Sequence, residues 1–386
     1  MSEWRYCYNS EYKKYGGNMA NHSKFLQVLS YTRCQLIILS AFIIFIISCD
    51  DNTINSNPSN SPDLCYQKMD DNSHWQIFTN NISGTNPENI SNNPNNDCYD
   101  PAWSPDGQYI AFRWDKSVGG CDIYLYDIFS DSLINLTTDL SATESASLPE
   151  WTPDGEKIVY TQRNNGINYQ YIMNKDGSDK RKLNDWINFF YNDSYHIICQ
   201  RDNSIFKSNI INSVNEFIID IKAIGEEYTK LYDFNPNTED LLFLIADTPR
   251  KTNIIAEYNV QTQKLDTLSV ADSGWVYLRP QYSNDYAKIA FIERNYDKDI
   301  SNMVIIENGV KKDLVTLTDE DEWIYNSPIV FSPYDNYLAY SKNINQEGYL
   351  VWWKSYLYIV NIETKKIKFI DGESAVDPVW NPLLTY

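Results

Sequence analysis

Two segments of near-identical design, WSPDGQYIAF from Trp103 and WTPDGEKIVY from Trp151, set the terms on which this chain can fold. Each has an aromatic residue closing one extended stretch, a Pro-Asp-Gly turn, and an apolar strand after it. Proline presets φ and glycine accepts positive φ, so the unit reads as a hairpin. The two copies begin 48 residues apart, a period typical of propellers. Looser copies begin at Tyr191, Phe234, Tyr282, Phe331 and Trp380. Seven anchors between Trp103 and Trp380 give a mean pitch of about 46 residues, room for four short strands with their turns.

Between anchors the outer strands are legible as strand, turn, strand: DIYLYDIFSDSLINLT after the first, YQYIMNKDGSDKRKL after the second, YLYIVNIETKKIKFI after the sixth. WQIFTNNISGTNPENIS, from Trp75, has the same form with no anchor before it, and Trp380 has no outer strands after it. One shared blade resolves both: DPVW and LLTY from the carboxyl end would supply its inner half and the Trp75 segment its outer half. The expected fold is all-β, a single β-propeller of four-stranded blades. Seven blades are expected, or six if one weak copy is not a blade.

The amino terminus reads as an address. Residues 36–47, LIILSAFIIFII, carry no charge, follow Lys24 and Arg33, and precede Ser48, Cys49, Asp50 and Asp51. Twelve residues without a charge are short for a membrane span of about 20 and right for a secretion signal. Ile46, Ile47, Ser48 and Cys49 resemble a lipobox, which implies cleavage before Cys49 and lipidation of its thiol. Met19 is the expected start. The expected division is an export region over 1–48, a flexible tether over 49–70, rich in Asn, Ser and Pro, and a propeller over 71–386.

With 32 basic and 52 acidic residues, the net charge of −20 disfavours nucleic acid and anionic lipid as partners. Seven cysteines with no CxxC pair support neither a disulfide framework nor a zinc site. In an exported protein Cys65, Cys98, Cys121 and Cys199 could pair, Cys98 with Cys121 being nearest within one repeat; otherwise they are small core residues. Beyond the export region only His74 and His196 remain, too few for a histidine-rich metal site. Oxygen ligands for Ca²⁺ abound, but no motif calls for a cofactor. No GxSxG elbow is present, and GESAV at Gly372 lacks the closing glycine.

The run Asp97, Asp100, Pro101, Trp103 to Gly107, Ile110 to Phe112, Ile123, Tyr124, Leu136 and Thr137 resembles the TolB-like, PD40-type propeller repeat. The resemblance implies the propeller fold; the lipobox-like segment, the repeat architecture and the missing catalytic cluster together give the expectation of a noncatalytic envelope lipoprotein, periplasmic or at the outer-membrane surface, monomeric, with a protein or peptide partner. A propeller that binds or cleaves carbohydrate is the alternative. Acids and aromatics precede the anchors: Asp97 with Tyr99, Asp100, Glu144, Asp185 with Trp186, Glu227, Trp275, Trp323 and Glu373. In equivalent blades they would ring one mouth of the channel, where they would suit a cationic peptide or a sugar. The plainer alternative is that they close turns and fill the space between blades.

Overall fold

A computed structural model describes residues 61–184, 186–212, 214–224, 229–247, 252–318, 322–324, 328–345 and 353–383. The export region, Cys49 and the first part of the tether lie outside them. Among these residues the one helix is a single turn, Ile221–Ile224, and everything else regular is strand.

The strands form antiparallel four-stranded modules, taken here in chain order. The first sets Val376–Trp380 beside Leu64–Met69, Trp75–Asn80 and Glu88–Asn89. The second holds Cys98–Trp103, Tyr109–Asp115, Cys121–Asp127 and Ser132–Asn135. A single parallel bridge, Cys121 to Ser145, joins it to the third, Ser145–Trp151, Lys157–Asn164, Ile167–Asn174 and Arg181–Lys182. The fourth is Ile187–Phe190, His196–Arg201, Ser204–Asn209 and Asn215–Asp220; the fifth Lys230–Asn235, Asp240–Asp247, Thr252–Asn259 and Lys264–Val270. The sixth is Trp275–Tyr282, Lys288–Asn295, Ile300–Glu307 and Val310–Leu317. In the seventh an interrupted inner strand, Glu322–Ile324 and Val330–Phe331, lies against Tyr337–Asn345, Trp353–Asn361 and Ile367–Asp371.

Every apolar core lies between modules. The cluster around Trp103, Phe112 and Cys65 joins the first to the second, and that around Trp151 and Ala111 joins the second to the third. The pattern continues around the chain until Leu64, Tyr66, Leu357 and Trp380 join the seventh back to the first. A flat sheet hides one face only against a neighbour, so each module depends on the next. The aromatic anchors fill these seams: Trp103, Trp151, Tyr191, Phe234, Tyr282, Phe331 and Trp380 are all buried. The indoles of Trp151 and Trp380 also donate to carbonyls of the preceding module, Ala102 at 3.1 Å and Val330 at 3.0 Å.

The Pro-Asp-Gly segments are turns that lock themselves. The Ser104 hydroxyl donates to Asp106 and accepts the Tyr109 N–H at 2.9 Å, while Asp106 accepts the Gln108 N–H at 3.1 Å. Thr152 with Asp154, and Ser283 with Asp285, repeat the arrangement. With its hydroxyl and carboxylate bound to backbone, this motif is spent on structure.

Two expectations need correction. Leu64–Met69 falls inside the stretch read as tether, yet it is a full strand whose Leu64, Cys65 and Tyr66 are completely buried. The shared blade does form from the carboxyl-terminal strand and the Trp75 segment, with Leu64–Met69 inserted between them: Val376–Trp380 pairs with Leu64–Met69, which in turn pairs with Trp75–Asn80. LLTY adds no strand among the described residues; Leu383 is in an exposed turn and 384–386 lie outside them. As for the cysteines, Cys98 and Cys121 carry thiols on strands held apart by Tyr109–Asp115, opposite Trp114 and Asp115 respectively.

Candidate functional site

Inner strands carry a bulge where two residues oppose one, which leaves the extra residue out of the ladder and strengthens the local twist. At four bulges a non-glycine residue takes a left-handed φ immediately before a proline: Asp100 (59°), Leu148 (54°), Arg279 (53°) and Asp377 (52°). Such a conformation costs about 1–2 kcal/mol per residue, so the fold maintains it against a local preference.

Three of these bulges, at Asp377, Asp100 and Leu148, are stitched together. The Gln67 amide donates to Asp377 at 2.6 Å and its carbonyl oxygen accepts the Asp100 N–H at 3.4 Å; Asp100 in turn accepts the Leu148 N–H at 3.4 Å. Burial pushes the Asp100 carboxyl up to about 6, against the opposing pull of Arg113.

Beside this chain, Asp97 opens the inner strand of the second module. Its carboxylate accepts the Trp75 N–H at 3.0 Å and the Tyr99 hydroxyl at 3.0 Å, with His74 Nδ1 at 3.2 Å. Arg113 reaches Asp115 through two bonds of 2.6 and 2.9 Å and lies 4.9 Å over the Tyr99 ring. Burial raises both the Asp115 carboxyl and the Tyr99 phenol, the phenol further because Asp97 faces it. Arg113 thus faces both Asp115 and Asp100, while Asp97 lies beside Asp115 and Tyr99 with His74 as its own partner.

An open cleft of about 430 Å³ adjoins this cluster between the second and third modules. Gly120, Ser141, Thr143, Glu144, Ser145, Arg163, Asn164, Asn165 and Gly166 line it. Glu144 accepts the Ser141 N–H at 3.0 Å, a bond that holds its carboxyl below the usual range, and also accepts the Asn164 amide at 3.1 Å. Gly120, at φ +80°, sits so close to the Glu144 carbonyl that a Cβ there would lie 2.4 Å from it. Cleft and cluster meet at Cys121, whose N–H donates to that carbonyl at 3.3 Å.

Of the residues expected at the mouth, Asp97 and Tyr99 are brought together and Asp100 sits in the neighbouring bulge. Glu144 lines the cleft. Trp186 is 42% exposed, whereas Trp275 packs against the core between the fifth and sixth modules. Glu373 is exposed and pairs with Lys354. Asp185 and Glu227 lie outside the described residues, as does the Trp323 side chain. Sequence reasoning missed Arg113, Asp115, Gln67 and Asp377. The signal for the first pair was their i, i+2 spacing, which sets both on one face of a strand. No group of three or more His, Cys, Asp or Glu placed to hold a metal occurs among the described residues.

Four-stranded modules whose cores are shared from each to the next, and from the last to the first, define a β-propeller. The sequence profile of the TolB beta propeller domain matches residues 46–227. Over that stretch, just under half of the chain, the sequence is similar to TolB-like propellers of the PD40 type. The Tol-Pal system protein TolB of Anaeromyxobacter dehalogenans is 28% identical over 109 residues, which are 28% of this chain and 24% of that protein. The chain therefore spans about a quarter of the length of that curated relative. Among solved structures, the propeller domain of the Trilobed protease from Pyrococcus furiosus superposes with a TM-score of 0.54 at 14% identity, covering 82% of this chain and 94% of that one. Oligogalacturonate lyase from Vibrio parahaemolyticus gives 0.51 at 9%, covering 81% and 86%. At such identities these two likenesses concern the fold.

Proposed function

We propose that the chain is a noncatalytic cell-envelope lipoprotein, anchored through Cys49, whose seven-bladed propeller binds a protein or peptide partner as a monomer. The observation that carries this reading is the placing of Asp100 and Asp115 against Arg113, with Asp97 beside Asp115, next to an open cleft. Burial first, and then neighbouring acids, raise the Asp100 and Asp115 carboxyls, and a cationic group from a partner favours their charged form. The likeness to a Tol-Pal system protein supports an envelope partner, and the signal-like segment before Cys49 supports the anchor.

The test is capture from solubilised envelopes by the full chain, compared with Glu144→Lys and Asp97→Asn variants. A partner retained by the parent, lost by both variants and released by salt is the expected result. Equal capture by all three proteins would sink the mouth as the binding site. Metabolic labelling with palmitate, abolished by Cys49→Ser, checks the anchor. The hydroxyl and amide side chains of Ser141, Thr143, Ser145 and Asn164 favour one second reading, a carbohydrate ligand in the cleft. A glycan array decides it, silence removing the sugar.

A further inference from the structure

The two ends of the modules differ in what the chain does there. Asp97 and Glu144 stand where inner strands begin, at the mouth, whereas the Pro-Asp-Gly turns close the opposite end. The chain enters at that opposite end. Asn381 bonds to Ser61 and Pro62, and its carboxamide oxygen lies 2.6 Å from where a Cβ on Gly107, in the first Pro-Asp-Gly turn, would stand. From this entry a short path leads to the seventh module. Asp63 accepts the Ile82 N–H at 2.5 Å, and Gly84 sits so close to the outer strand Ile367–Asp371 that a Cβ there would lie 2.9 Å from the Ile370 carbonyl and 3.1 Å from that of Phe369.

The rim reached in this way is basic and apolar. Residues 363–369 are exposed without a break, and they include Lys365, Lys366 and Lys368 with Glu363 as the one acid. Among the described residues no hydrogen bond or ion pair holds any of the three ammonium groups. Ile367 and Phe369 are each 50% exposed, and Phe369 rests edge-on against Tyr358 with ring centroids 5.7 Å apart. Alternation sets these two on one face of the strand and Lys368 on the other. As the outermost strand of its module it presents both faces, and an unpaired backbone edge, to whatever lies beside it.

We propose that this rim is a docking surface for the anionic headgroups of the bilayer that holds Cys49, an inference that rests on the lipid anchor proposed above. The place of entry selects a bilayer as the occupant. Ser61 stands twelve residues after Cys49, a stretch that spans at most about 43 Å fully extended, so the end of the molecule bearing the rim is kept beside the membrane. Charge complementarity selects it again. Three neighbouring cations without acid partners are out of keeping in a chain of net charge −20; lipid phosphates supply their anions, and Ile367 and Phe369 then enter the headgroup boundary. The net charge disfavours anionic lipid at long range, but at physiological ionic strength such fields fade over about 8 Å, and the tether supplies the encounter that the net charge opposes. Docked in this way, the propeller turns its mouth away from the membrane and towards a partner.

Hydrogen exchange of the lipidated chain in vesicles tests the surface. With phosphatidylglycerol mixed into phosphatidylcholine, residues 363–370 should exchange more slowly than in phosphatidylcholine alone. High salt should erase the difference, and the mouth segment 97–103 should exchange equally in both vesicles. Each lysine beside an anionic surface contributes about fivefold to the ratio of docked to free protein, so the Lys365→Gln, Lys366→Gln and Lys368→Gln triple variant should lower it about a hundredfold. All three side chains are exposed, and an unchanged melting temperature confirms that the variant folds. A Cys49→Ser chain held to the same vesicles by an amino-terminal histidine tag on nickel-chelating lipid separates this surface from the anchor. If palmitate labelling fails but the tagged chain shows lipid-dependent protection, the surface stands and the anchor falls. Equal exchange in the two vesicles, protection that survives in the triple variant, or protection at the mouth in place of the rim would overturn the surface, whatever the fate of the anchor.

Discussion

Tyr66 donates its hydroxyl to Asp371 across 2.5 Å, joining residues 305 apart in the chain. Lys68 reaches the same carboxylate at 2.8 Å, so one acid of the seventh module holds two side chains of the first. Facing that carboxylate in a buried seam, the Tyr66 phenol is raised far above its ordinary value, by burial first and then by Asp371. Tyr66→Phe should cost about 1–3 kcal/mol, the penalty of a lost bond to a buried charged group. Asp371→Ala should cost more, because it also strands Lys68. Thermal or urea unfolding measures both, and removal of residues 377–386, which takes away most of the pairing strand, should lower the melting transition further than either.

Gly120 tests how tightly the cleft wall is built. Its φ of +80° and the 2.4 Å approach to the Glu144 carbonyl forbid a side chain, whereas a Cβ at Gly166, also at positive φ, meets nothing within 4 Å. Gly120→Ala should therefore destabilise by more than the roughly 1 kcal/mol of left-handed strain expected for Gly166→Ala. Equal losses in denaturant titrations would contradict the close approach.

Asp233 makes stability depend on pH. Buried between two modules, it accepts the N–H groups of Phe234 at 2.8 Å and Tyr282 at 2.9 Å, yet burial pushes its carboxyl up to about 7. A folded value above the unfolded one means that the folded protein holds the proton more tightly. Its contribution is thus fully present below about pH 4 and disappears as pH rises through about 7, a swing on the order of 4 kcal/mol. Asp233→Asn keeps an acceptor and cannot ionise. Its melting temperature minus that of the parent should rise between pH 5 and pH 8; a flat difference would refute the buried charge.

The two bonded indoles make a paired prediction. Trp151→Phe and Trp380→Phe each leave a buried carbonyl unmet and a smaller ring in a seam, for about 2–3 kcal/mol apiece. The two changes, in separate seams, should add in a double variant.

The parts of this fold legible in the sequence were those that repeat. An aromatic, a turn and an apolar strand recur because every seam needs the same filler, and all seven anchors proved buried. Leu64–Met69 escaped because LCYQKM follows a polar tether and lacks both anchor and turn; its partners, Trp380 and Asn80, come from opposite ends of the propeller. The mouth was half legible for a related reason. Asp97 and Tyr99 were visible beside the repeat, but Arg113 and Asp115 read as the polar end of an ordinary strand, and Gln67 lay in apparent linker. Contacts between modules depend on register, which composition does not encode.

The entry of the chain into the middle of a sheet also decides how the molecule bears mechanical load. Force arriving through the residues before Ser61 meets first the bonds of Asn381 to Ser61 and Pro62, and then a strand flanked on both sides, Leu64 lying opposite both Asn80 and Trp380. Pulled along its axis, that strand must shear two ladders at once instead of peeling from an edge. Where a tether would tug on it, the ring thus answers with two ladders and not one.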